Sequence, residues 1–181
     1  MQVRHALGSV LETTLPADPD HAAFLEACAD YMVTSMDRLD LTDMAILHLL
    51  QERVANELVE VHEDLTSLAD RQARARDENK ALKEALEEYR GAGHKNFPAF
   101  DTALRHYNHV IRSMMAPRKN PFSKHTDELF TMDDWTDIAQ VTDYTIATEE
   151  AQFEEVANNL PKSLTLDDFF ATHGMQRPDK K

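Results

Sequence analysis

The chain has 181 residues, of which 42% are hydrophobic, a size that predicts one hydrophobic core and not two independent domains. Its 33 acidic and 19 basic residues give a formal net charge of −14, which repels nucleic-acid backbones and anionic membrane surfaces. We therefore expect neither nucleic acid nor a membrane as a partner.

The sequence also predicts where the protein resides. It contains no continuous apolar run of about 18 residues, and residues 1–15 lack the basic start and apolar stretch of a secretory signal. Cys28 is the only cysteine, so neither an intramolecular disulfide nor a cysteine zinc site can form. Its apolar neighbours predict a thiol packed in the core. We expect a cytoplasmic protein.

Glycine and proline punctuate the chain. Nearly all of the 4 glycines and 7 prolines fall between segments whose apolar residues have helical spacing, which predicts an all-α fold. We expect residues 1–18 to form an N-terminal extension, residues 19–161 the bundle domain, and residues 162–181 a C-terminal tail. Asp18 followed by Pro19 is typical of a helix start, so the first helix is predicted over residues 19–38.

The second predicted helix covers residues 41–90. Asp40 or Thr42 is a suitable N-cap, and neither proline nor glycine interrupts the segment. A straight helix of this length would be about 70 Å long, so we expect part of it to bend or protrude. The charged stretch 70–80 is the expected place for an exposed or bent section.

Two further helices complete the predicted bundle. Gly91 and Gly93 end the second helix, and Pro98 begins the third. Thr131 and Asp134 have the spacing of a capping box, which predicts the start of a single fourth helix ending at residue 161. The sequence thus predicts an antiparallel up-down bundle of four main helices, followed by a short C-terminal helical tail.

Histidines are the main candidates for chemistry, because the sequence has no glycine-rich phosphate loop, no GxSxG motif and no HExxH motif. His48 and Glu52 are four residues apart, and His106 and His109 are three apart. Each pair shares one face of a predicted helix, where it could chelate a divalent ion. Imidazole and carboxylate ligands inside a helical bundle suit zinc or non-haem iron.

A hairpin between the first two helices would bring further histidines together. If the chain turns near residue 40, His21 lies level with His62. By the same geometry His48 lies about 20 Å from His21, so these two cannot share one metal ion. The candidate metal ligands are therefore His21, His48, Glu52, His62, His106 and His109.

The order of these segments resembles hemerythrin-like (HHE cation-binding) bundles. His21 opens the first helix, His62 lies on the second, and the acidic pair Glu149 and Glu150 lies in the last. The resemblance implies a non-haem di-iron centre for handling oxygen, nitric oxide or iron, with His21 as the first ligand and His62 as the histidine of the second helix. The sequence departs from the family pattern at Thr66, four residues after His62, and contains neither HxxxH nor HxxxxD.

Three functions remain open at this point. The leading hypothesis is a metal-binding bundle, with iron as the expected cofactor, for oxygen or nitric oxide sensing or metal handling without turnover. The alternative is a metal-free interaction or scaffold bundle, with a homodimer as one form of it. A third hypothesis is an enzyme in which a histidine pair performs acid–base chemistry, although no nucleophile or substrate pocket can be named. The expected dimer contact is either the seam of Leu82, Leu86 and Tyr89 or the tail residues Phe169 and Phe170.

Overall fold

The computed structural model describes residues 2–13, 19–54, 59–114, 126, 129–162 and 164. Within those residues the regular elements are helices and no strand occurs, so the predicted all-α class is confirmed. The α-helices are α1 (Gln2–Thr13), α2 (Ala22–Arg53), α3 (Val59–Ala92), α4 (Phe97–Met114), α5 (Met132–Ile138) and α6 (Asp143–Asn158). Helices α1 and α3 each pack against both α2 and α4. None of the described helices has the length and apolar character needed to cross a membrane.

Helix α1 is an integral part of the bundle. Val3, Leu7 and Val10 recur at a spacing of three and four residues, which places them on one helix face. All three side chains are buried in the main core, beside residues of α2 and α4. Helix α1 thus packs on the main core, although it precedes the expected boundary at residue 18. The predicted C-terminal tail lies almost entirely outside the described residues.

Helix α2 runs without a break through the position where the sequence predicts a turn, so that prediction is wrong. Asp40 and Thr42 are good N-cap residue types. However, the Thr42 hydroxyl donates to the carbonyl oxygen of Arg38 at 3.3 Å, a bond that Thr also makes inside helices. The chain leaves α2 at Val54, which has an extended backbone, and α3 then returns along α2.

A buried polar group joins α2, α3 and α4. Asn79 donates from Nδ2 to the carbonyl oxygen of Val33 at 3.2 Å and to Oδ1 of Asp37 at 2.7 Å. Its Oδ1 accepts from the Tyr107 hydroxyl at 3.3 Å. Burial raises the pKa of Tyr107, so this hydroxyl remains a neutral donor. Because buried polar atoms need their partners, this group favours one relative position of the three helices.

Other polar contacts between α2 and α3 follow the same register. Nε2 of Gln72 donates to the carbonyl oxygen of Asp43 at 3.0 Å, and Nη1 of Arg76 donates to Oδ1 of Asp40 at 3.1 Å. Residue numbers thus rise along α2 as they fall along α3, so these two helices are antiparallel. Gln72 is buried, although it lies in the charged stretch that the sequence analysis expects to be exposed or bent.

The turn between α3 and α4 lies where the sequence predicts it. Gly93 has a φ of 67°, a backbone conformation that glycine adopts without strain. After this turn, α4 buries apolar side chains at alternating spacings of three and four residues. These residues are Phe97, Phe100, Leu104, Tyr107 and Ile111.

The main core contains Cys28 and the seam that the sequence analysis assigns to a dimer contact. Cys28 is buried, as predicted, and burial raises the pKa of its thiol well above the usual value. Leu82, Leu86 and Tyr89 are also buried, and the Tyr89 ring stacks on Phe100 with centroids 5.0 Å apart. The prediction that this seam meets a second copy is wrong, because its side chains are already covered within the chain. The alternative contact at Phe169 and Phe170 lies outside the described residues.

The fourth predicted helix is two helices. Thr131 and Asp134 form the predicted capping box, which starts α5. Helix α5 ends at Ile138, and Thr142 starts α6 by accepting a hydrogen bond from the backbone nitrogen of Thr145 at 3.1 Å. The capping box is confirmed, but the prediction of a single helix is wrong because Thr142 supplies a second N-cap.

A smaller apolar cluster at the end of α2 holds α5. Leu50, Leu65 and Phe130 are its buried members. Nη1 and Nη2 of Arg53 each donate to the Asp134 carboxylate at 2.6 Å. The guanidinium of Arg53 also lies 5.7 Å from the centre of the Phe130 ring. One bidentate ion pair thus ties the start of α5 to the end of α2.

We expect Asn79→Ala to lower the free energy of unfolding by about 2 kcal/mol, because it leaves the buried Tyr107 hydroxyl and Asp37 without their partner. Chemical denaturation of the full chain measures the change. Asn158→Ala is the matched control, because Asn158 is exposed on α6, and we expect it to stay within about 0.5 kcal/mol of the parent. Equal stability of the two variants would contradict the role given to Asn79.

The contact between α5 and α2 should depend on pH. Hydrogen bonds from Arg53, and then from Thr131, hold the pKa of Asp134 well below its usual value. A lowered folded-state pKa stabilises the fold above the unfolded value of about 4, and this contribution is lost as pH falls through the folded-state pKa. Trp135, the only tryptophan, reports on the contact because its ring lies 5.1 Å from that of Phe130.

We expect tryptophan fluorescence to change as pH falls through the folded-state pKa of Asp134, well below the usual value of about 4. The Asp134→Asn variant should already show the altered spectrum at neutral pH, since it cannot form the ion pair with Arg53. A neutral-pH spectrum of this variant identical to the parent's would show that the ion pair does not position α5.

Candidate functional site

The structure separates His21 from His62. His21 is half-buried at the start of α2, and its buried Nδ1 has no hydrogen-bond partner among the described residues. Gln72 lies level with Asp43, so His62, ten residues earlier on α3, lies level with the end of α2. A helix of 32 residues is about 48 Å long, so the two histidines lie at opposite ends of α2. The predicted pair fails because the chain turns after residue 53 and not near residue 40.

His48 and Glu52 share one face of α2, as their spacing predicts. Nδ1 of His48 lies 3.6 Å from Oε2 of Glu52, and the two side chains are 71% and 58% exposed. Water therefore competes at both groups, and the pair supplies only two ligands. A metal ion held there would need further ligands from solvent or from another molecule.

His106 and His109 are both exposed on α4 but have different neighbours. Nε2 of His106 lies 3.1 Å from Oε2 of Glu78 on α3. His109 lines a cavity of about 470 Å³ between α1 and α4. Among the residues that the structure describes, no group of three or more His, Cys, Asp or Glu side chains could hold a metal ion together.

Arginines in the α1/α4 cavity are engaged within the chain. Nη1 of Arg105 donates to the carbonyl oxygen of Leu11 at 2.6 Å. Nη1 of Arg112 donates to Oε1 of Glu12 at 2.9 Å. Both guanidinium groups in the cavity thus already bind groups of the protein. They are therefore poorly placed to bind an anion in this cavity.

Helix α6 lies on α2 along one side. Its Val156 is fully buried, and Nε2 of Gln152 donates to Oγ1 of Thr34 at 3.0 Å. Arg38 of α2 forms an ion pair with Glu149, including a bond from Nη2 to Oε2 of 3.3 Å. These contacts fix the position of α6, yet Val156 is the only residue of this helix that is fully covered.

A groove of about 740 Å³ runs between α2 and α6. Most of its lining is apolar: Tyr31 of α2, Ile146, Phe153 and Ala157 of α6, and Val141, which precedes α6. The Tyr31 and Phe153 rings meet edge to face with centroids 6.0 Å apart. Ile146 and Val141 are 46% and 38% exposed, so the apolar surface is open to solvent.

Carboxylates line the groove beside this apolar surface. Glu149, Glu150 and Glu154 all belong to its lining. Glu149 is paired with Arg38, whereas Glu150 and Glu154 are exposed and form no ion pair in the described part of the chain. The groove therefore combines an apolar floor with an acidic edge.

Comparisons of the chain with protein-family models, with curated proteins and with solved structures found no match. The hemerythrin-like resemblance and the di-iron centre that it implies therefore stay predictions. The α2/α6 groove has to be interpreted from its own geometry and charge.

Helical spacing alone predicts other roles for the groove residues. Ile146 and Phe153 have the spacing of a core-facing stripe, and the spacing is real, but α2 covers only part of that stripe. Glu150 and Glu154, four residues apart, fit the solvated side of a helix. Thr142 followed by Asp143 was the available signal that a separate helix begins here.

Proposed function

We propose that this protein is an interaction module that docks an amphipathic helix of another protein in the α2/α6 groove, on a framework of antiparallel helices α1 to α4. The observation that carries the proposal is the apolar strip of Ile146, Phe153 and Ala157 along α6, which lines the groove and is exposed at Ile146. As part of this proposal we place the module in the cytoplasm, because its one cysteine, Cys28, is a buried free thiol.

The dimensions of the groove suit a helix. Ile146 and Ala157 are eleven residues apart on α6, so the strip is about 16 Å long, or three turns of a partner helix. Two neighbouring helices already form its walls, and a third helix packs its ridge of side chains into such a groove. Apolar residues of the partner at positions i, i+3 or i+4, and i+7 would cover the strip.

Two further apolar side chains, Leu41 and Tyr144, are exposed near the level of Val141, at one end of the groove. Arg38 pairs with Glu149 and Thr34 with Gln152, so α6 runs antiparallel to α2. Continuing that register places Tyr144 near the level of Leu41. These two side chains are 81% and 70% exposed, although Tyr144, two residues before Ile146, lies on another side of α6.

A second copy of this chain is a poor occupant. Each copy carries a net charge of −14, so two copies repel each other at long range. The edge of the groove is itself acidic, which adds local repulsion toward another acidic surface. The apolar seam expected to form a homodimer is buried within the chain. A different protein is therefore the better-matched partner.

The proposal predicts that a helical peptide of about 15 residues, with leucine at helical spacing and glutamine elsewhere, binds the full chain. We expect Ile146→Gln and Val141→Gln each to weaken binding by about ten-fold, because each removes roughly 1.4 kcal/mol of apolar contact. Fluorescence anisotropy of the labelled peptide measures the affinity.

Met132→Gln provides the matched control. Met132 is 79% exposed, so the substitution removes the same kind of apolar surface, but it lies on α5 outside the groove. Its affinity should equal that of the parent. Circular dichroism checks that all variants remain helical. If Met132→Gln weakened binding as much as Ile146→Gln does, the peptide would not be using the groove.

Metal binding is the second candidate function, and the observation that favours it is the shared face of His48 and Glu52. Under this function, untagged protein from iron-supplemented medium contains at least about one metal ion per chain, as measured by mass spectrometry, and His48→Ala lowers that content. His94→Ala is a matched control, because His94 is exposed between α3 and α4. Folded, metal-free protein would refute this candidate.

A further inference from the structure

The charges along the groove indicate the chemistry of the partner helix. We infer that the docked helix is basic: it presents lysine or arginine side chains beside its apolar stripe, along the edge formed by Glu150 and Glu154. The inference rests on the proposed function and adds the charge of the partner to it.

The two glutamates form one continuous edge. Four residues on a helix correspond to about one turn, so Glu150 and Glu154 lie on the same side of α6, roughly 6 Å apart. Both are exposed, and neither forms an ion pair in the part of the chain that the structure describes. Two lysines at the same spacing on an opposing helix could face them together.

The groove does not neutralise this edge itself. Arg38 is the only cationic side chain among the described residues that line the groove, and it is paired with Glu149. Two negative charges therefore remain beside the apolar floor. Ion pairs formed across this edge would be partly shielded from water by the docked helix, which strengthens them relative to fully exposed pairs.

The charge of the whole chain acts in the same direction. A net charge of −14 attracts a basic segment and repels an acidic one, most strongly at low salt. The partner segment that fits both the floor and the edge is thus an amphipathic helix with leucine-like residues in its stripe and basic residues along its flank.

Three peptides of about 15 residues test the inference, with one leucine pattern and with lysine, glutamine or glutamate at the remaining positions. We expect the lysine peptide to bind the full chain about ten-fold more tightly than the glutamine peptide at low salt, and the glutamate peptide to bind least. Raising the salt concentration should reduce the difference in affinity between the lysine and glutamine peptides.

Paired charge removals locate the effect. Glu150→Gln with Glu154→Gln should reduce binding of the lysine peptide about ten-fold and leave the glutamine peptide unchanged. Glu87→Gln with Glu88→Gln removes the same charge from two exposed residues of α3, outside the groove, and should leave both affinities close to the parent's. An equal loss in both double variants would show that overall acidity, and not this edge, attracts the peptide.

The remaining outcomes separate the inference from the proposed function. If all three peptides bound with equal affinity and Ile146→Gln abolished this binding, helix docking would stand and the inference of a basic partner would be overturned. No binding by any peptide would overturn both. Concentration-dependent dimerisation in light scattering, abolished by Ile146→Gln, would assign the groove to a second copy. Displacement of the lysine peptide by a synthetic peptide of residues 165–181 would assign it to the chain's own tail. Either of these last two results would overturn the inference.

Discussion

The hydrogen bonds of Asn79 are the constraint on which the arrangement of the helices depends. A buried amide that must satisfy Val33 and Asp37 on α2 and Tyr107 on α4 permits one register among the three helices. That register makes α2 and α3 long antiparallel neighbours. It also separates histidines that a shorter hairpin would have brought together. The absence of a metal cluster among the described residues thus follows from where the chain turns.

The same arrangement leaves part of α2 available to α6. Helices α1 and α3 cover α2 on two sides, and α6 lies on it along Gln152 and Val156. Because α6 is attached along one side only, Ile146 remains partly exposed beside α2. In the proposed function, the partner helix packs on the exposed part of the apolar strip, and the glutamates Glu150 and Glu154 favour a basic partner.

Local features could be predicted from the sequence, whereas long-range ones could not. The capping box of Thr131 and Asp134 depends on four neighbouring residues, so its pattern was sufficient. Asp40 is an equally good N-cap type, but the same residue is tolerated inside a helix, and its partner Arg76 is distant in sequence. Asn79 lies in a charged stretch of the sequence that is expected to be exposed. Its partners Asp37 and Tyr107 are also distant in sequence, so its burial could not be predicted. The groove could not be predicted from the sequence, because it depends on α6 being a separate helix and on which side of α6 is covered by α2.

The most direct test of the account is hydrogen–deuterium exchange of the full chain with and without the leucine–lysine peptide. Docking in the groove predicts slower exchange in α6 and in the part of α2 from Tyr31 to Arg38, with little change in α4. Protection confined to other helices, or an unprotected α6 at saturating peptide, would contradict the assignment of the α2/α6 groove as the binding site.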